Sequence, residues 1–107
     1  MKKIKLLIII VDRSIVDKVN NTIIKMGASF SHICYGIGTA KNDLLNLLGL
    51  GETEKGIIFA SIDETMIKPL YEKLIKIFGF NKPGGGIAFT IPITSVGGPA
   101  SLKILEG

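Results

Sequence analysis

The chain has 107 residues, of which 47% are hydrophobic and 21% charged, and its formal net charge is +4. A chain of this length folds around one core, so we expect a single domain over residues 1–107. Its apolar runs fall short of the about 20 residues that span a bilayer, and its 13 Lys and Arg are scattered among acidic residues. We therefore expect neither a membrane-spanning helix nor a nucleic-acid-binding surface.

The first third of the chain predicts a strand, a helix and a second strand. Residues 3–11 are almost continuously apolar and rich in Ile, which is typical of a strand covered on both faces. Apolar residues at helical spacing follow, with Asp12 or Ser14 as the cap and Gly27 as the stop. The segment Phe30–Tyr35 then predicts the second strand.

The same order returns further along the chain. The segment Gly56–Ile62 predicts a third strand, Asp63 caps a second helix that ends at Gly79, and Ile87–Ile93 predicts a fourth strand. Pro69 either bends this helix or marks its true start. The buried stripe of the helix is expected to contain Met66, Ile67, Leu70, Leu74, Ile75 and Phe78.

The order β-α-β-β-α-β predicts an α+β fold, the ferredoxin-like sandwich in which two helices cover one face of a four-stranded antiparallel sheet. Half of each strand in such a sheet faces away from the helices. The first, third and fourth strands have few polar residues at any position. We therefore expect the second sheet face to be buried against other copies of the chain.

Candidate catalytic groups are sparse. No Ser or Cys has an evident base beside it, and Asp63 and Glu64 sit where carboxylates cap a helix, so we expect no enzyme. His32 and Cys34 share one face of a strand and suit either a partial metal site or ordinary strand positions, and the latter is favoured. A small hydrolase or a metal-binding protein on the same fold remains an alternative. The lone cysteine favours a reducing, cytoplasmic location.

Two glycine-rich segments are candidate phosphate loops, Gly36-Ile37-Gly38-Thr39-Ala40-Lys41 and Lys82-Pro83-Gly84-Gly85-Gly86. Glycine lets backbone N–H groups approach a phosphate closely, and a nearby lysine supplies charge. Tight turns are an equally good interpretation. The candidate nucleotide-binding residues are Gly36, Ile37, Gly38, Thr39, Lys41, Lys82, Gly84, Gly85 and Gly86.

The combination of these segments resembles the PII signal-transduction family over nearly the whole chain. The first segment is similar to that family's Gly-Phe-Gly-Arg-Gln-Lys, and Gly84-Gly85-Gly86-Ile87-Ala88-Phe89 is similar to its Gly-Asp-Gly-Lys-Ile-Phe. The resemblance implies a divergent PII-like homotrimer that binds adenine nucleotides between subunits and requires no cofactor. Residues 37–55 would form its T-loop and residues 79–86 its B-loop. The resemblance implies ATP, ADP, AMP or a cyclic nucleotide as the ligand. Because Ile87 stands where the family has a phosphate-binding lysine, a ligand with less charge than ATP is favoured.

The segment that the resemblance makes the T-loop is rich in leucine. A PII-like protein controls a target through this loop, either a membrane transporter or a metabolic enzyme, and the apolar loop favours a transporter. Exposed apolar groups usually mark interfaces, although an amphipathic helix folded back on the trimer also fits. A ligand-independent interaction module is the alternative function. The candidate partner-binding residues are Leu44, Leu45, Leu47, Leu48 and Leu50.

Overall fold

The computed structural model of the chain describes residues 3–37 and 54–98. Short 3-10 turns, Arg13–Ile15 and Glu64–Met66, precede the two helices. The predicted order of strands and helices is confirmed. The elements are β1 (Ile4–Asp12), α1 (Val16–Lys25), β2 (Ser29–Ile37), β3 (Glu54–Asp63), α2 (Ile67–Phe78) and β4 (Ile87–Pro92).

The four strands form one sheet in the order β2-β3-β1-β4, and every neighbouring pair is antiparallel. The central strand β1 pairs with both β3 and β4, so that Ile9 lies opposite Ile58 on one side and Ala88 on the other. Each βαβ unit therefore has one strand of the other unit between its own two strands. This is the ferredoxin-like topology that the order of elements predicts.

The helices cover one face of this sheet and form the core with it. Alternate residues of a strand point to the same face, and the register places Leu7, Ile9 and Val11 beside the buried residues of β3. Each helix contributes buried residues from one side, Val16, Val19 and Ile23 from α1 and Leu70 and Leu74 from α2. The buried core residues are Leu7, Ile9, Val11, Val16, Val19, Ile23, Ala28, Ile58, Ala60, Ile62, Leu70 and Leu74.

The opposite sheet face is also apolar, and neither helix covers it. Ile8, at its centre, lies between Phe59 of β3 and Phe89 of β4. Phe89 is 39% exposed and Ile91 is 44% exposed. We call this surface the open face, and the apolar residues that the register places on it are Leu6, Ile8, Ile10, Ile57, Phe59, Ile87, Phe89 and Ile91.

Several predicted boundaries shift by one or a few residues. Asp12 caps the turn before α1, because its carboxylate accepts from the backbone N–H of Ser14 at 2.9 Å, so Ser14 is a donor and not the cap. Pro69 is the third residue of α2, where its missing N–H has no partner to lose, so of the two predicted alternatives it marks the start of the helix. Strand β4 ends at Pro92, one residue earlier than predicted.

The buried stripe predicted for α2 is wrong at Ile75, which is 43% exposed. Leu70 and Leu74 are fully buried because the sheet lies beneath them. Strand β4 is the edge of the sheet, so the side of α2 that overhangs it is only partly covered. The two described helices have 10 and 12 residues, and neither is long and apolar enough to cross a membrane.

Candidate functional site

Both predicted glycine loops start at the same end of the sheet. Gly36 of β2 lies opposite Lys55 of β3, which in turn lies opposite Asp12 at the end of β1. At the other edge Ile87 pairs with Ile10, so the second loop joins β4 at this end as well. Three strand spacings separate the two edges, roughly 14 Å. The points where the loops join β2 and β4 therefore lie at one end of the sheet, on its two opposite edges.

Within residues 3–37 and 54–98, no packing contact requires position 36 to be a glycine. A Cβ at this position would meet no described atom within 4 Å, and its φ does not lie in the left-handed region. Glycine in a strand interior is unfavourable, and often marks a place where a ligand or another backbone approaches closely. Its neighbour across the strand pair is Lys55, whose side chain is buried with 4% exposure. Gly36 and Lys55 thus place bare backbone beside a lysine that is largely removed from solvent.

The loop Gly79–Gly86 is held together by its own backbone. Lys82 N–H donates to the carbonyl of Gly79 at 2.9 Å, and Gly85 N–H donates to the carbonyl of Lys82 at 3.0 Å. A Cβ at Gly85 would lie 2.0 Å from the Gly79 carbonyl oxygen, which is an impossible contact. Glycine at position 85 is therefore required by the compact loop itself. Lys82, within this loop, is exposed.

An apolar cavity of about 250 Å³ opens between α2 and the start of β4, behind this loop. It is the place where the overhanging side of α2 meets the sheet edge, and Ile75 faces it for that reason. Its lining residues are Tyr71, Leu74, Ile75, Phe80, Gly86, Ile87 and Ala88.

His32 and Cys34 have apolar neighbours across the strand pair. His32 lies opposite Phe59, and Cys34 lies opposite Ile57. Within residues 3–37 and 54–98, no three His, Cys, Asp or Glu side chains come together as a set that could hold a metal ion. The described part of the chain thus adds no third ligand to the His32 and Cys34 pair.

Arg13 occupies a position that the sequence does not indicate. Its Nη1 lies 3.2 Å from Glu54 Oε2, and its Cζ lies 4.5 Å from the centroid of the Tyr35 ring. Arg13 is the only arginine in the chain. Because Glu54 and Arg13 are 41 residues apart, no local spacing could reveal the pair.

Part of the predicted site lies outside the described residues. For Ile37 the structure describes the backbone, which pairs with Glu54. The predicted nucleotide-binding residues within the described ranges are Gly36, Ile37, Lys82, Gly84, Gly85 and Gly86, and the predicted residues outside them are Gly38, Thr39, Lys41, Leu44, Leu45, Leu47, Leu48 and Leu50.

No protein-family model matches the sequence, and no curated protein matches it. Solved structures do match. The ADP-, AMP- and acetate-bound form of CPII from Thiomonas intermedia K12 superimposes with a TM-score of 0.64 at 20% identity, covering 92% of this chain and 93% of that one. GlnK of B. subtilis, in its ATP complex, has a TM-score of 0.59 at 16% identity, covering 88% and 85%.

The chain has the PII-like fold. A DUF3240 family protein from Shewanella baltica OS155 superimposes as well, with a TM-score of 0.66 at 18% identity, covering 92% of this chain and 98% of that one. Each of these similarities covers 85% or more of both chains.

Proposed function

We propose that this protein is a cytoplasmic regulator of the PII-like type. In this proposal it forms a homotrimer, binds an adenine nucleotide in the clefts between subunits, and controls a target protein through residues 37–55. It catalyses no reaction of its own. The PII-like fold supports the proposal, as do the ADP and AMP bound to CPII and the ATP bound to GlnK.

The open face supports the proposed assembly. Hydrophobic free energy is about 25 cal/mol for each Å² of apolar surface that is removed from water. A surface formed by Ile8 and its neighbours on three adjacent strands is larger than a scatter of single apolar residues. A second copy of the same chain offers a matching apolar face, so association of copies removes this surface from water.

The observation on which the nucleotide proposal depends is the pair of Gly36 and Lys55. The described residues do not need glycine at position 36 for their packing, and Lys55 lies opposite it across the strand pair. Backbone N–H groups without a neighbouring Cβ, together with a lysine, form the kind of surface that holds phosphate oxygens. The second glycine loop lies at the same end of each subunit, so two subunits placed edge to edge bring both loops to one cleft.

Titration calorimetry with ATP, ADP, AMP and cyclic AMP tests this proposal. We expect saturable binding of at least one of the four. Lys82→Gln should weaken that binding about tenfold or more, since a hydrogen bond to a charged group contributes roughly 1.5 to 3 kcal/mol. Lys18→Gln on α1 is the matched control and should bind as the unaltered protein does. Absence of heat with all four nucleotides would refute the nucleotide half of the proposal.

A second candidate is a ligand-independent interaction module with the same assembly. The observation that favours it is Gly85, which the loop needs for its own packing whether or not a phosphate binds. Leu47→Asp should abolish target binding under both functions, because the loop docks on the target in both of them, so nucleotide binding by this variant distinguishes the two. The variant should retain nucleotide binding if the first proposal is right, and there should be no nucleotide binding to retain if the second is right.

The leucine-rich sequence of residues 44–50 supports a membrane transporter as the target, with a metabolic enzyme as the other class. A protein segment of this composition contributes apolar contact area at an interface. Binding of a purified candidate target to the unaltered chain and to Leu47→Asp, measured at equal protein concentration, tests this step.

A further inference from the structure

Arg13 connects three parts of the fold at the base of the loop between β2 and β3. It follows β1 in the first 3-10 turn, whereas Tyr35 lies near the end of β2 and Glu54 begins β3. The guanidinium is 3.2 Å from the Glu54 carboxylate and its Cζ is 4.5 Å from the centroid of the Tyr35 ring. Tyr35 pairs with Gly56 and Glu54 pairs with Ile37, so Tyr35 and Glu54 are diagonal neighbours on one face. Arg13 therefore contacts both strands of the loop's stem.

The packing of α1 on the sheet explains why Arg13 reaches this place. Gly56 lies directly opposite Tyr35, and a Cβ on Gly56 would be 2.4 Å from Cγ2 of Val16. Val16, the first residue of α1, thus occupies the space that a side chain at position 56 would fill. Because the turn Arg13–Ile15 directly precedes Val16, this packing places the turn close to the stem.

The turn itself is fixed by Asp12. Its carboxylate accepts from the backbone N–H of Ser14 at 2.9 Å and from the Ser14 hydroxyl at 2.7 Å. Arg13 lies between these two residues, so its backbone is held from both sides. The point from which the Arg13 side chain extends towards Tyr35 and Glu54 is therefore fixed.

Arginine is suited to both contacts at once. Its planar guanidinium can stack on an aromatic face while its edge donates hydrogen bonds to a carboxylate, and a lysine ammonium cannot do both in the same way. Each contact alone is modest, because Arg13, Tyr35 and Glu54 are all about half exposed. Together they act on the same two strands.

We propose that Arg13 is the positioning residue of the β2–β3 stem. It holds the end of β2 and the start of β3 in one register and so determines where the chain leaves the sheet after Ile37 and returns at Glu54. This proposal rests on the proposed function only in making the loop between them the docking element. The proposal that Arg13 holds the stem depends only on its contacts with Tyr35 and Glu54.

Amide hydrogen exchange of the full chain tests the proposal, in the absence of nucleotide and target. In Arg13→Gln we expect exchange of the amides of residues 35–37 and 54–56 to rise about three- to thirty-fold, the range expected for loss of one exposed ion pair and one cation–π contact. Arg13→Lys should give an intermediate rise. Tyr35→Phe retains the ring and should leave exchange unchanged, whereas Tyr35→Leu should raise it.

Exchange of residues 60–62, at the other end of β3, is the internal control and should not change in any of these variants. If Arg13→Gln does not fold, Glu54→Gln tests the same contact at an exposed position and should raise stem exchange by a smaller factor. Stem exchange within twofold of the unaltered protein in Arg13→Gln, or in Glu54→Gln where that variant replaces it, would overturn the proposal. Because no ligand takes part, this failure is distinguishable from a failure to bind nucleotide.

Discussion

The two βαβ units of this fold begin alike and diverge in the link between helix and strand. In the first unit, β1 ends at Asp12, whose carboxylate accepts from the N–H of Ser14 at 2.9 Å; in the second, Asp63 accepts from the N–H of Thr65 at 2.9 Å. Three residues then join α1 to β2, whereas eight residues join α2 to β4. The topology needs only the short link. The longer glycine loop of the second unit is therefore available for a role beyond folding.

The residue after each capping aspartate also differs. Arg13 in the first unit contacts the opposite strands of the stem. Glu64 in the second unit remains near its own end of the sheet, where its N–H donates to the Lys3 carbonyl at 2.8 Å and its carboxylate lies 4.0 Å from Lys3 Nζ. The two equivalent residues thus make different contacts. Arg13 contacts the β2–β3 stem, and Glu64 contacts Lys3 at the opposite end of the sheet.

The edge strands differ as well. On the open face, β4 of the second unit presents Ile87, Phe89 and Ile91, whereas β2 of the first unit presents His32 and Cys34. The apolar part of the open face is therefore continuous from β3 through β1 to β4, and it ends at β2. Assembly through this face should depend on the second unit's edge strand.

The largest effect that we predict is loss of assembly in Phe89→Asp. A charge at the centre of a buried apolar interface would have to be desolvated without a partner, so the variant should be a monomer where the unaltered chain is an oligomer. Light scattering after size exclusion measures this. Ile77→Asp changes a residue of α2 that is 51% exposed and lies away from the open face, so it should remain oligomeric. Equal masses for Phe89→Asp and Ile77→Asp would contradict the account.

Next in size is the effect of Gly85→Ala in the long link. The new methyl group would collide with the Gly79 carbonyl, which cannot move aside without breaking the loop, and we expect the free energy of unfolding to fall by about 3 kcal/mol. In the matched change in the first unit, Gly36→Ala, the methyl group meets no described atom, and the free energy of unfolding should fall by less than about 0.5 kcal/mol. Urea denaturation at equal protein concentration measures both. Similar losses in the two variants would contradict the contrast.

The two caps should have smaller effects. Asp12→Ala and Asp63→Ala each remove the acceptor of a backbone N–H at a helix start, and loss of that hydrogen bond should lower the free energy of unfolding by about 1 kcal/mol. Asp12 also lies opposite the buried Lys55, so Asp12→Ala should have the larger effect of the two in urea denaturation. Asp12→Asn and Asp63→Asn retain a side-chain oxygen and should recover the contribution of the cap. A larger loss in Asp63→Ala than in Asp12→Ala would contradict this order.

The smallest effect is expected from Glu64→Gln. The Lys3 and Glu64 groups are exposed and 4.0 Å apart, and such surface ion pairs contribute about 0 to 1 kcal/mol. We expect a change below about 0.5 kcal/mol in urea denaturation. The backbone N–H of residue 64 still donates to the Lys3 carbonyl in this variant, so a loss above 1 kcal/mol would mean that the carboxylate has a role the contacts do not explain.

The sequence was sufficient for the order of elements, because Ile-rich strands and the two helical stripes have clear periods and their glycine stops are well placed. It failed at Ile75, where helical spacing gives the correct side of α2 but not the fact that the sheet ends beneath it. Whether a stripe residue is buried depends on which strand lies at the edge. That information is in the topology and not in the helix.

The candidate site was predictable only in part. The spacing of the glycines located Gly36 and Gly85, but it does not say why each is a glycine. A Cβ at Gly36 meets no described atom, whereas a Cβ at Gly85 meets the Gly79 carbonyl. The contact of Arg13 with Tyr35 and Glu54 joins residues that are far apart along the chain. It follows from how closely α1 approaches β3 at Gly56, which no local pattern encodes.

Native mass spectrometry with ADP tests the central claim most directly, since it reports assembly and occupancy together. The account predicts a species of three times the 11.5 kDa mass of one chain, with up to three bound ADP molecules. It also predicts reduced occupancy in Gly36→Ala at unchanged trimer mass, because the added methyl group covers the backbone that would meet the phosphates. A monomer, or a trimer that binds none of ADP, AMP, ATP and cyclic AMP, would contradict it.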